Sequence, residues 1–225
     1  MSLEATHIRF ALDLQDRYKI KDIEKYISGA IYPDSRYISG IGRELTHDDR
    51  FLLPDFADND FNAGWQTHKI CDLVYNAVRK KLFIDVFPVG YEPYYEYEWI
   101  VATAMKIIQD REDMQSFDIK KYLKCLEYAY NPNGEDIGSI ENYNKIMVDL
   151  YKNKKITTVE EYIKMWLVLG PEAGLCEQVR AKTEEFLKDP AMLNRIKSVY
   201  GEMISSYQDI IDKRILEKFG YNIGI

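Results

Sequence analysis

Apolar positions recur at helical spacing along most of the chain, and no run alternates long enough to mark a strand. Residues 3–17 set Leu3, His7, Phe10, Ala11 and Leu14 on one stripe, which predicts an amphipathic first helix. Residues 20–29, IKDIEKYISG, predict a short second helix stopped by its glycine. The pattern then lapses. Residues 31–59 hold Pro33, Gly40, Gly42 and Pro54 among many acids, so a long, mostly irregular connection is expected there, of the kind that is usually functional or disordered. Periodicity resumes at NDFNAGWQTHKICDLVYNAVRKKLF, with Asn59 or Asp60 as N-cap, and Pro88 and Pro93 break the chain after it. Further helices are predicted at 94–113, 117–130, 139–153, 157–169, 171–187 and 190–218, with breaks at NPNG (131–134) and GPEAG (170–174). No repeat, low-complexity tract or linker divides the chain. The expected fold is therefore all-α, a single-domain multi-helix bundle over 1–225, with its candidate chemistry in 1–85 and a helical remainder in 86–225.

Composition narrows the function classes. At 46% hydrophobic and 30% charged residues, the 225-residue chain has an ordinary soluble globular make-up and enough length for one sizeable core. Its net charge of -7 repels long nucleic acid and anionic membranes at long range, but leaves room for a small anionic substrate held by local cations or a metal. No apolar run approaches the roughly 20 residues needed to cross a bilayer, so no membrane insertion is expected. The opening MSLEATHIRFALDLQDRYK is interrupted by charges too often to hold a signal-peptide core. Cys71, Cys125 and Cys176 are far apart, odd in number and form no C-x-x-C, which suits reduced thiols in a cytoplasmic protein.

The three histidines, His7, His47 and His68, all fall in the first third. His68 and Asp72 are four apart on a helix, so both side chains project from one face about a turn apart and are placed to grip one ion. Asp34 in its Pro-Asp turn and His47 in the same connection offer a carboxylate and an imidazole to complete a four-ligand shell, a donor set suited to zinc or another first-row divalent ion. His7, on an apolar stripe, needs partners for its nitrogens. Taken singly, each is an unremarkable residue, since a lone H-x-x-x-D on a helix binds nothing in most proteins. Together they run His, Asp, His, His, Asp within 66 residues.

That ordered set, THIRFA (6–11), GAIYPDS (29–35), LTH (45–47) and GWQTHKICD (64–72), resembles the superfamily of zinc-dependent phospholipase C and the single-strand-specific nucleases, and more closely its phospholipase C-like bacterial branch. The resemblance covers about the first third of the chain. It implies an all-α fold and a metal-dependent phosphoric ester hydrolase. It further implies that Asp34, His47, His68 and Asp72 hold one zinc, and that His7, with Asp72 shared, belongs to a second metal. The secreted members also use a mature N-terminal tryptophan and further downstream histidines, and this chain begins MSLEATH and has no histidine after His68. One complete metal site is thus expected. A second would recruit other groups, with Asp110, Glu112, Glu96 and Glu98 as candidates.

The remaining features attach to that expectation. Arg36 and Arg43 are candidate clamps for a phosphate ester, because guanidinium binds phosphate as a fork, and Lys69 flanks His68. Asp48 and Asp49 are candidate proton acceptors. The same HDD also suggests the His-Asp pair of HD-type phosphohydrolases, an alternative that normally needs more histidines than this chain has. The stretch YEPYYEYEW (91–99) reads either as an aromatic wall or, more commonly, as the apolar start of a helix. The favoured function is hydrolysis of a small cytoplasmic phosphoester. The alternative from another class is a non-catalytic helical binding or scaffold protein that keeps a residual metal site.

Overall fold

The computed structural model describes residues 3–87 and 94–220. The fold is an all-α multi-helix bundle, and among the described residues there is no strand. Its helices are α1 (Glu4–Tyr18), α2 (Ile23–Ile31), two short turns α3 (Arg36–Ser39) and α4 (Arg43–His47), α5 (Asp60–Leu82), α6 (Tyr94–Asp113), the single turn α7 (Lys120–Leu123), α8 (Ile137–Tyr151), α9 (Val159–Leu169), α10 (Ala173–Lys188) and α11 (Pro190–Phe219). No helix among the described residues is long and apolar enough to cross a membrane. Cys71, Cys125 and Cys176 are free and buried.

The termini follow local chemistry. Asn59 caps α5 by accepting from the Asn62 N–H, Asp136 caps α8 through Ser139, and Thr158 and Glu161 form a reciprocal capping box at α9. Asp189 caps α11, whose first residue is Pro190, where a missing N–H costs nothing. α1 is a central strut. Its Ala5, Ile8 and Ala11 pack into one buried cluster with α2, α8 and α9. Phe10 and Leu14 enter a second with α5, α6 and α11. Each large apolar side chain so buried contributes about 1.5–3 kcal/mol.

Three expectations need correction. Gly29 does not stop α2; the helix begins at Ile23, capped by Asp22, and runs on to Ile31. A Cβ on Gly29 would lie 2.0 Å from the Phe61 carbonyl oxygen, and one on Gly64 would lie 1.9 Å from that of Tyr26. The two glycines let α2 and α5 cross backbone against backbone, with Tyr26 Oη bonded to Ala11 O and Thr67 Oγ1 beneath the crossing, each at 3.0 Å. Second, residues 31–59 are not mostly irregular. They fold into the 3-10 turns Tyr32–Ser35, Asp49–Leu52 and Pro54–Phe56 together with α3 and α4, pieces too short to display a period. Third, 117–130 is not one helix. α7 passes into a 3-10 turn at Lys124–Glu127, where Ser28 Oγ donates to the Cys125 carbonyl that a continuing helix would have used.

Candidate metal centre

The α2–α5 crossing fixes where the candidate ligands point. His68 and Asp72 follow Gly64 at four-residue steps, so they extend from the crossing along one face of α5. Asp34 leaves the end of α2 within the Tyr32–Ser35 turn, and His47 ends α4. Trp65 Nε1 donates to Thr46 O (2.7 Å) and Lys69 Nζ to His47 O (2.6 Å), which pins α4 onto α5. All five candidate ligands are buried, none exposed by more than 6%.

Their metal-binding atoms converge. His68 Nε2 lies 3.3 Å from His47 Nε2, 4.0 Å from Asp34 Oδ1 and 3.9 Å from Asp72 Oδ2. His47 Nε2 lies 3.6 Å from Asp34 Oδ1 and 3.5 Å from Asp72 Oδ2. Bonds of about 2.0–2.2 Å to a tetrahedral ion require ligand atoms about 3.3–3.6 Å apart, so the Asp34–His47–His68 group is close to the size such an ion needs. Asp72 turns its other oxygen to His7, with Oδ1 3.6 Å from Nε2, and the His7 ring stacks on His68 at 3.8 Å and 10°. Among the described residues, ligand atoms within 4.8 Å of one another form two groups that could hold a metal ion, Asp34–His47–His68 and His7–His68–Asp72.

Protons do not account for the convergence. His68 Nδ1 is 2.8 Å from the Ala30 carbonyl, so it carries the proton and leaves the Nε2 lone pair facing inward. His47 Nδ1 is 2.7 Å from Thr46 Oγ1, a hydroxyl that holds the ring with Nε2 facing His68. The two Nε2 atoms meet at 3.3 Å, and one proton between them would serve only one of the three acceptors around His47 Nε2. Asp34 Oδ1 and both His7 nitrogens are buried without a hydrogen-bond partner. Burial holds His68 well below the usual imidazole range and His7 down at about 4, with Asp72 and Asp34 pulling the other way. Burial would push both carboxyls up, but both lie below the usual range, Asp34 chiefly through its contact with His47, and Asp72 through nearby positive charge to which the three histidines add. Ionised carboxylates beside the neutral rings of His7 and His68 are protonation states a divalent cation requires.

Comparison with protein-family models, with curated proteins and with solved structures gives no match for this chain.

The other candidates lie outside this centre. Asp48 Oδ1 accepts from the backbone and side chain of Arg50, and Asp49 pairs with Lys69 (2.9 Å) and Arg214 (2.6 Å), so neither carboxylate is aimed at the histidines. The Arg36 guanidinium lies over the Tyr37 ring at 4.3 Å, and Arg43 is exposed on α4. Asp110 is bonded to Thr6, Tyr151 and Tyr162, Glu98 to Arg79, Glu112 to Lys197 and Glu96 to Gln178, so none of these acids joins the second group. Of the aromatic stretch 91–99, residues 91–93 lie outside the described residues; α6 starts at Tyr94, and Tyr97 is exposed. A cleft of about 980 Å³ lined by Tyr18, Lys21, Lys25, Asn59 and Tyr130 contains none of the five ligands.

Sequence alone also misses residues. Glu4 and Asp113 join Asp110 in a buried acidic network beside α1, close enough for Glu4 to feel the Asp34 charge, and Arg79 and Lys106 are basic groups near Asp72. The signal for Glu4 is its position one turn before His7. Arg79, seven residues after Asp72, is two turns along the same face of α5.

Proposed function

We propose that the chain is a metal-dependent hydrolase of a small phosphate ester, with one divalent ion held by Asp34, His47, His68 and Asp72 and a second, weaker position at His7. The observation that carries this reading is the meeting of ring nitrogens and carboxylate oxygens at 3.3–4.0 Å in a buried site. When bound, a divalent ion supplies Lewis acidity and charge neutralisation at phosphoryl oxygens. The chain's part is positioning. The Ala30 carbonyl fixes the tautomer of His68, Thr46 orients the His47 ring, and Asp72 divides its two oxygens between His7 and the other histidines. The resemblance to the phospholipase C and nuclease superfamily supports the same ligands. The protein's net negative charge favours a small phosphoester over a long polyanion.

Near-complete burial of all five ligands favours a second reading, a closed structural metal in a binding or scaffold protein. The HD-type reading has less support, because the Asp48 carboxylate is committed to Arg50. Elemental analysis of protein purified without chelator, followed by a phosphoester panel on the metal-replete protein, tests the proposal. About one divalent ion per chain with chelator-sensitive turnover is expected. Bound metal without turnover transfers the reading to the scaffold class, and absence of metal after incubation with zinc, manganese and iron overturns both.

A further inference from the structure

Arg79 is 4% exposed, and it spends only part of its donor set. Its Nη2 donates to Glu98 Oε1 at 3.0 Å, its face rests over Phe87 at 4.4 Å, and its Nε and Nη1 are buried without a hydrogen-bond partner. Lys106, half-buried on α6, makes no hydrogen bond or ion pair among the described residues, although Asp72, Asp34, Arg79 and Arg43 all act on its charge. Burial pushes its ammonium down to about 8. Asn76, between Asp72 and Arg79 on α5, likewise has an amide with no hydrogen bond among the described residues.

Helix geometry puts these groups along one slot. Glu98 and Lys106 are eight residues apart on α6, about 12 Å, and Arg79 and Asp72 are seven apart on α5, about 10 Å. Arg79 pairs with Glu98 at one end, and at the other both helices meet the start of α1, where Asp72 faces His7 and Asp110 accepts from the Thr6 N–H. α5 and α6 therefore run antiparallel, with Arg79–Glu98 as one rung and the Asp72 and Lys106 positions, about level, as the next. Between the rungs α5 carries Asn76 and α6 carries Ala102, a small side chain. The buried Arg79 Nε and Nη1 are costly unless a ligand takes them. A divalent ion on Asp34 and Asp72 would cancel the charges that offset Lys106, which adds to the demand for an anion.

We propose that Arg79, Asn76 and Lys106 form an oxyanion slot between α5 and α6, adjoining the metal ligands, that takes the phosphoryl group of the substrate. This assignment rests on the proposed metal-dependent phosphoester chemistry and names the residues that hold the substrate. Guanidinium supplies the directional fork and ammonium the point charge, a donor pair suited to a tetrahedral oxyanion.

Calorimetric titration of the full chain with inorganic phosphate tests it, with the metal content of every sample measured in parallel. In metal-replete protein, Lys106→Met is expected to weaken phosphate binding at least tenfold with metal content unchanged, and Lys106→Arg to restore most of it. Lys106→Gln serves as a second neutral variant where Lys106→Met fails to fold. Phosphate affinity that is the same in wild type and neutral variants overturns the slot, as does metal-replete wild type that binds no phosphate. A wild type that holds no metal sinks the metal reading separately. The same titration of that protein then decides the slot: Lys106-dependent binding retains it, and its absence overturns it.

Discussion

Two buried polar regions adjoin along α1 and meet the same difficulty in opposite ways. In the first, three residues before His7, Glu4 receives hydrogen bonds from Tyr143 and Tyr151, while Asp110 receives them from Tyr151 (2.8 Å), Tyr162 (2.6 Å) and the Thr6 N–H (3.0 Å). Asp113 takes Thr6 Oγ1, Arg9 and Gln109. Burial pushes Glu4 up to about 8, Asp110 to about 7 and Asp113 to about 6. This region accommodates its acids with protons and tyrosine hydroxyls, a use for the chain's 18 tyrosines. In the second the carboxyls stay ionised, the rings of His7 and His68 stay neutral, and the bare Nε2 of His68 faces carboxylate oxygens. Burial alone therefore does not mark a metal centre. What marks it is more acceptors meeting than there are hydrogens to serve them.

The comparison breaks most readily at the ligands. His68→Ala or Asp34→Asn is expected to abolish tight metal binding and, with it, the roughly 3–4 kcal/mol of stabilisation that an ion at 100–1,000 times its Kd confers. Thermal melts with and without metal read this as a lost metal-dependent shift and an otherwise modest change. Variants that lose the same stability with and without metal would make these residues ordinary core groups, like the neighbouring acids of α1 and α6.

Gly64→Ala should come next in size. The added methyl meets the Tyr26 carbonyl at 1.9 Å, so α2 and α5 must separate, at a cost of about 1–3 kcal/mol by chemical denaturation and with impaired metal uptake. Gly201→Ala in α11, where a Cβ meets nothing within 4 Å, is the control and should gain about 0.5–1 kcal/mol.

The two regions should also respond to pH with opposite slopes in metal-free protein. Glu4 keeps its proton in the folded state to about pH 8 against an ordinary 4.5, so the folded state binds more protons in that window and stability falls as pH rises through it. His7 behaves inversely. Folded His7 resists protonation down to about 4, whereas the unfolded ring takes its proton near 6.5, so stability falls as pH drops through that interval. Glu4→Gln should flatten the alkaline slope, change little near pH 5 and leave the acid slope intact. Denaturant midpoints across pH 4–9 read both limbs, and a variant with the wild-type alkaline slope would remove Glu4 from the account.

The smallest effect is expected at Asp48. Its carboxylate caps its own turn through Arg50, so Asp48→Asn should retain the metal and shift stability by less than about 1 kcal/mol. Metal loss there, with retention in Asp34→Asn, would move the reading to the HD class.

Much of the bundle is written locally. Asn59, Thr158 with Glu161, Pro190 and the 3.6-residue stripes mark helices that form where expected. Among the candidate ligands, His7, Asp34, His47, His68 and Asp72 are legible as types and spacings, and they meet in space. The structure gives a different account of features whose reasons are tertiary. Gly29 reads as a stop because its contact with the Phe61 carbonyl lies 32 positions away in the chain. The break in 117–130 depends on the Ser28 hydroxyl from another helix. Arg79 and Lys106 look like surface charges on helices; only packing reveals that one is buried and that the other has no partner among the described residues. Asp48 and Asp49 draw attention by their closeness in sequence to His47, and closeness along a chain of short turns does not set direction.

The glycine crossing also has a kinetic consequence. One wall of the buried ligand group is a contact in which two backbones touch. An ion leaving on that side waits for α2 to lift from α5, an opening that also bares the amide protons of the crossing to exchange. The half-time for swapping a bound ion is therefore expected to track the deuterium-exchange lifetimes of Ala30 and Ile31 rather than the strength of the metal–ligand bonds, and Gly64→Ala should quicken both together.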